Sequence, residues 1–289
     1  MFRRILIVLT SIPLALAQAP PNLSVLLANP REDSAEWHRN VGHAYYRAGE
    51  MQSTLDHLQK AIRLEPGNEQ YYLDLGEVLA RNNARKAVVV VFEAARIALP
   101  ESFRIQSALG VAYLTIRNYE KAKQSFTDLI RTNPGYEMGY QLLAECYDIT
   151  LDWENTAKIA AQLRALNPKN SNGWYYGATA AYGIGRQNGG SLQLAETQVR
   201  RALALSPGDW RPHLLLGKLL ADSRRDREAV LALQKVIALR GADPKTYYIL
   251  GLALKRLGRA KESAEAFQTY EKTRATHAAS QRTLLVDIK

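Results

Sequence analysis

One cysteine, Cys146, stands in the 289 residues. A lone thiol excludes an intramolecular disulfide framework and a thiolate metal site, and no cysteine follows the N-terminal apolar stretch to carry a lipid. The histidines at 38, 43, 57, 213 and 277 have no HExxH or other metal-ligand spacing. Long β-branched runs are nearly absent, whereas Leu, Ala and Arg abound, which favours a helical fold. Long apolar runs are scarce too. The first, Ile5 to Leu16, is about a dozen residues and contains Pro13, short of the roughly 20 needed to span a bilayer.

That short run is nonetheless informative. Arg3 and Arg4 precede it, and Ala15-Leu16-Ala17 forms a small-x-small cleavage signature before Gln18. Residues 1–17 therefore read as a signal peptide, with a retained anchor as the alternative. The expectation is export to the periplasm or beyond in a bacterial envelope, with no stable membrane insertion after cleavage. The formal charge of +10 falls to +8 without Arg3 and Arg4, which permits attraction to anionic partners.

Catalytic arrangements are missing as well. Gly185, Gly189, Gly190 and Ser191 superficially suggest phosphate binding, but no Lys precedes the Ser and no strand precedes the glycines, so no nucleotide site is expected. Cys146 lies between Ala144 and Tyr147 on a helix without a His–Asp arrangement, and reads as a small core residue rather than a nucleophile. The chain is expected to be non-enzymatic, without cofactor or metal.

What is present is a period. Units beginning at Ala35, Glu69, Phe103, Glu137, Ser171, Trp210 and Pro244 repeat every 34 residues, except that the fifth is five residues longer, between Tyr182 and Ala195. The eighth column holds Gly42, Gly76, Gly110, Ala144, Ala178, Gly217 and Gly251; the thirty-second holds Pro66, Pro100, Pro134, Pro168 and Pro207, with Gly241 in the sixth unit. Each unit opens with one apolar stripe at helical spacing, such as Tyr72, Leu75 and Leu79, and closes with another, such as Val88, Phe92 and Ala95. Glycine within a helix costs roughly 1 kcal/mol against alanine, so its return in one column marks a close helix crossing. The prolines end each second helix, and Asn68, Ser102, Asn170, Asp209 and Asp243 stand where they can cap the next.

These residues resemble the tetratricopeptide repeat family, whose unit carries an aromatic, Leu-Gly, Tyr, Ala, Phe, Ala and Pro in that order. Leu109-Gly110, Tyr113, Ala122, Phe126 and Pro134 follow it; Gly177 for Leu, Ala144 and Ala178 for Gly, and Ala160 for Phe depart from it. The resemblance implies an all-α, right-handed α-solenoid of seven helix-turn-helix units. The expected units are 35–68, 69–102, 103–136, 137–170, 171–209, 210–243 and 244–277. Residues 18–34 read as a linker or cover, and 278–289 as a tail or partial cap. The insertion, 183–194, reads as a Gly-rich loop. His38 and His213 fall in the fourth column, taken as apolar, so packing accounts for them.

The resemblance also implies that first helices line a concave groove holding a protein or peptide. Columns two, five, nine and twelve form a stripe beside the core positions. The candidate contacts from it are Arg39, His43, Tyr46, Glu77, Arg104, Glu145, Asp148, Tyr175, Tyr182, Arg211, Lys218, Lys245, Tyr248 and Lys255. The middle is acidic and the last two units are basic, which suits an extended peptide with an acidic segment. The alternative is an anionic polymer, an acidic glycan or nucleic acid, on the basic units; export disfavours nucleic acid.

Overall fold

The computed structural model describes residues 23–241 and 243–286, with residues 277–286 described by their backbone alone. The expected signal peptide, the first residues of the linker and the last three residues of the tail lie outside these. The chain forms two compact units, Met1–Cys146 and Tyr147–Lys289, each taken by itself here.

The first unit holds α1 (Leu23–Ala28), α2 (Ala35–Ala48), α3 (Met51–Leu64), α4 (Glu69–Arg81), α5 (Arg85–Ala98), α6 (Phe103–Thr115), α7 (Tyr119–Thr132) and most of α8 (Glu137–Ile149). The second continues with α9 (Trp153–Leu166), α10 (Ser171–Asn188), α11 (Gln193–Leu205), α12 (Trp210–Asp222), α13 (Asp226–Arg240), α14 (Pro244–Arg256) and α15 (Ala260–Val286). No strand occurs among the described residues. The fold is all-α, and helices pair in sequence order within each unit, with α4 against α6, α10 against α12 and α12 against α14 as well.

The eighth-column glycines sit where the helices of a pair cross. A Cβ on Gly76 would lie 2.3 Å from Phe92 Cζ, and one on Gly110 would lie 2.5 Å from Phe126 Cε1. Leu58 lies similarly over Gly42, Leu233 over Gly217 and Phe267 over Gly251, at 3.0, 2.7 and 2.9 Å. The side chain above each glycine comes from the second helix of the same pair. Phe92, Phe126, Leu58 and Leu233 are fully buried by this contact. In the fifth repeat the buried pair Ala178 and Val199 shares one core cluster, so a smaller second-helix residue accompanies the alanine.

The fourth column is not apolar: His38 is buried as the packing account expects, but it and His213 also form hydrogen bonds, which corrects that account for His213. The column's residues donate across the turn between repeats to the carbonyl six residues earlier. Tyr72 bonds to Pro66 O at 3.2 Å, Gln106 to Pro100 O at 2.8 Å and Tyr140 to Pro134 O at 3.1 Å. Trp174 reaches Pro168 O at 2.9 Å, His213 reaches Pro207 O at 3.0 Å and His38 reaches Glu32 O at 3.1 Å. A helix leaves its last carbonyls without intrahelical donors, and any long side chain ending in N–H or O–H can serve. Ser34, Asn68, Ser102, Asn170, Asp209 and Asp243 cap the first helices through their side chains.

The turn inside each repeat uses a left-handed residue: Gly49, Asn83, Arg117, Leu151, Arg224 and Gly258, all with φ between 59 and 83°. The fifth repeat departs from this. Its insertion is mainly helix, not the expected loop, because α10 runs on to Asn188 and stops at left-handed Gly189. Gly183 is helical there, and its missing Cβ makes room for the Trp153 ring, 2.4 Å from where that atom would stand. Only residues 189–192 lie outside helices.

Two predictions follow from these contacts. Gly110→Ala should cost about 1–3 kcal/mol by overpacking, and Phe126→Leu added to it should recover part of the loss, read by urea unfolding. Leu151, exposed at φ 59°, should tolerate glycine so well that Leu151→Gly raises stability by about 1 kcal/mol; a loss would contradict the strain argument.

Candidate partner-binding face

The first unit knits its candidate residues together. Asp74, on α4 and only 3% exposed, accepts from Arg39 Nε and lies 2.9 Å from His43 Nε2. Gln70 donates to its other oxygen at 2.7 Å, and Arg104 reaches Gln70 Oε1 at 3.3 Å and Glu69 at 2.6 Å. One polar chain therefore crosses α2, α4 and α6. Burial raises the Asp74 pKa, but the bonds from His43 and Arg39 outweigh it and hold the carboxyl below its ordinary value. Glu77 pairs with Arg81 one turn on, at 2.6 Å. Tyr46 packs against the cluster of Leu58, Leu75 and Val78. Glu145 is half-buried; its charge adds to the burial that pushes the neighbouring Cys146 thiol far up, away from the thiolate form.

In the second unit the candidates divide into occupied and open side chains. Arg211 is held by Asp209, with Nε 2.9 Å and Nη2 2.5 Å from Oδ2, and by Asn172 at 2.6 Å. Its guanidinium lies over the Tyr175 ring at 4.8 Å. Tyr182 donates to Asp222 at 2.7 Å, and burial with that carboxylate pushes its pKa up to about 12. Lys218 on α12 differs: its ammonium makes no hydrogen bond or ion pair among the described residues. Burial, with Lys245 nearby, lowers its pKa. Asp148 at the end of α8 is pushed up by burial. Thr179 stands beside it, but that hydroxyl also lies 2.9 Å from Tyr176 O, and one proton serves one acceptor at a time. The side chains of Lys245 and Lys255 on α14 are exposed and unpaired among the described residues. Tyr248, 45% exposed, rests its ring 5.3 Å from Tyr270.

The structure thus gathers Asp148, Tyr175, Lys218, Lys245 and Tyr248 onto the first helices of the second unit, and locks Arg39, His43, Arg104 and Arg211 into internal bonds. Column spacing missed Asp74, although a lone carboxylate in a column otherwise holding Asn, Ala, Leu, Tyr and Ile is a legible signal. It also missed Arg224 and Arg256, which fall outside the four columns. Among the described residues no group of three or more His, Cys, Asp or Glu could hold a metal ion. No described helix is long and apolar enough to cross a membrane.

Repeated helix pairs with a small-residue crossing and a capped inter-repeat turn define a helical repeat protein. Models of the tetratricopeptide repeat match residues 103–136 and 214–278. The chain carries tetratricopeptide repeats over these residues. It is 20% identical over 233 residues to lipopolysaccharide assembly protein B of Escherichia coli (strain K12), an alignment of 79% of this chain and 60% of that protein. The chain thus spans less than two thirds of that relative's length. A tetratricopeptide repeat protein from Parabacteroides merdae is similar in structure, with TM-score 0.65 at 16% identity over 82% of this chain and 92% of that one. YrrB, a tetratricopeptide protein with an unusual peptide-binding site, matches with TM-score 0.52 at 17% identity, over 67% and 97% of the two chains.

Replacing Asp74 by Asn should cost about 1–3 kcal/mol at pH 7. A depressed carboxyl contributes stability above its unfolded pKa of about 3.9 and loses it as pH falls through the folded value. The difference between wild type and Asp74→Asn should therefore shrink below about pH 4, as read by denaturant unfolding at stepped pH.

Proposed function

We propose that this chain is a non-enzymatic scaffold that holds an extended protein segment against the first helices of its second unit, with an acidic stretch of that segment on Lys218, Lys245 and Lys255. The observation that carries the reading is the contrast on this face: Arg211 is already paired with Asp209, whereas Lys218, Lys245 and Lys255 make no hydrogen bond or ion pair among the described residues, and Lys218 feels Asp148, Asp222 and Asp243 only at a distance. An unpaired, part-buried ammonium is costly to keep, and a partner's carboxylate would offset that cost. Tyr175 and Tyr248 supply flat apolar area beside the lysines, and an extended segment alternating acidic and apolar residues matches both. The repeat fold supports protein or peptide binding in general. A tetratricopeptide neighbour with a peptide-binding site adds to that.

The cell envelope is the proposed setting. Its supports are the reading of residues 1–17 as an export signal and the likeness to a protein named for lipopolysaccharide assembly. The proposed role is in building or regulating an envelope complex. The competing reading, an anionic polymer on the same lysines, makes a different prediction: binding would fall steeply with salt and show no peptide selectivity.

The test is capture from an envelope extract by the chain from Gln18, alongside a Lys218→Gln, Lys245→Glu, Lys255→Glu variant of equal helicity. A discrete protein retained by the first and lost from the second is expected. Equal retention would discard the lysine face, and retention of polymer without protein would overturn the scaffold.

A further inference from the structure

We propose that the second unit carries a separate binding site for a compact oxyanion, a carboxylate or phosphate group, in the cleft that the repeat-five insertion builds. The cleft has a volume of about 390 Å³ and is lined by Arg186, Arg224, Arg256, Asp222 and the backbone around Gly185 to Gly190, with Leu192 and Ala221. It lies where α10, α12 and α14 end. Its far wall is supplied by the extra turn of α10 and the following residues, which the other repeats do not have.

Three guanidinium groups line the cleft against two carboxylates, Asp222 in the lining and Asp226 behind Arg256, which leaves one positive charge in excess, and the three differ in how far they are already committed. Arg256 is anchored by Asp226, with Nε 2.9 Å from both oxygens, and its Nη2 lies 3.2 Å from Ala221 O. That leaves Nη1 outside those bonds. Arg186 is loosely tethered, with Nε 3.5 Å from Asp222 and Nη1 3.5 Å from the Tyr182 hydroxyl. Asp222 is itself occupied by Tyr182 at 2.7 Å. Arg224 makes no hydrogen bond or ion pair among the described residues, and it sits in the left-handed turn at φ 60°.

Helix C-termini attract cations, so the arginines could serve only to cap carbonyls. Arg256 does so at Ala221, but Arg224 bonds to no carbonyl, and Arg186 turns to a hydroxyl and a carboxylate instead. A fixed arginine, a tethered one and an uncommitted one around a volume in the range of ligand sites form a clamp whose planar donors suit oxyanions. The volume is large enough for a small anion or one acidic side chain.

Titration calorimetry of the full chain at fixed ionic strength, with inorganic phosphate in one arm and citrate in the other, tests this. Saturable binding of at least one is expected, and which one binds distinguishes a phosphate from a carboxylate source. Arg224→Asn, which keeps a residue tolerant of the left-handed turn, should weaken binding about tenfold or more. Arg201→Gln, a surface arginine away from the cleft, should leave it unchanged, as should the triple lysine variant, so this site and the lysine face fail independently. No saturation at millimolar concentrations in either arm would overturn the proposal, and so would equal weakening by Arg201→Gln.

Discussion

A helix backbone laid directly beneath a partner's aromatic ring leaves space at the contact for a hydrogen atom and nothing larger. Gly76 under Phe92 and Gly110 under Phe126 are that contact, and the geometry of each repeat depends on it. The close crossing lets the second-helix side chain reach full burial, and that burial fixes the distance between the two helices. The distance in turn sets where the turn between them must reverse, and the reversal requires a left-handed residue fourteen positions after the repeat begins. Where glycine is absent from that turn, as at Leu151 and Arg224, the chain accepts local strain of about 1–2 kcal/mol.

A second constraint joins one repeat to the next. In the first five repeats the second helix ends near a proline whose carbonyl has no helical donor, and the fourth residue of the following repeat supplies one. The residue types used are His, Tyr, Gln and Trp, which share no hydropathy but share length and a terminal N–H or O–H. At the N-terminal end this position becomes a denser cluster. His38 meets His57 with their Nδ1 atoms 2.9 Å apart, and Trp37 donates to Leu26 O at 3.1 Å, which fastens α1 to the first repeat.

Periodicity made the repeats legible because a helix crossing forbids Cβ in one column and a helix end favours proline in another; both are local demands that leave one residue type. The fourth column misled because it was read by hydropathy, whereas its common property is a donor at a fixed reach. The insertion misled because glycine was read as a turn former. Gly183 and Gly185 are glycine because Trp153 and Leu192 press on the helix there. Column position placed the candidate residues on first helices, but did not show which of their charges are spent. Arg211 and Arg39 look like free cations in sequence, and only the fold brings Asp209, Asn172 and Asp74 within bonding distance.

On the first helices of the second unit, Arg211 is bound internally, whereas Lys218, Lys245 and Lys255 make no hydrogen bond or ion pair among the described residues. Internal pairing takes up Arg211 on α12 and Arg256 on α14 and leaves the lysines of those helices outside it, the arrangement that the proposed receptor for an acidic segment would use. The most direct test of that account is site-specific photo-cross-linking. A photoreactive residue at the Tyr248 position, on a first helix, should capture an envelope protein, while one at Leu231, 67% exposed on the second helix α13, should not. Capture from Leu231 with none from Tyr248 would contradict the account by placing the partner on the opposite set of helices.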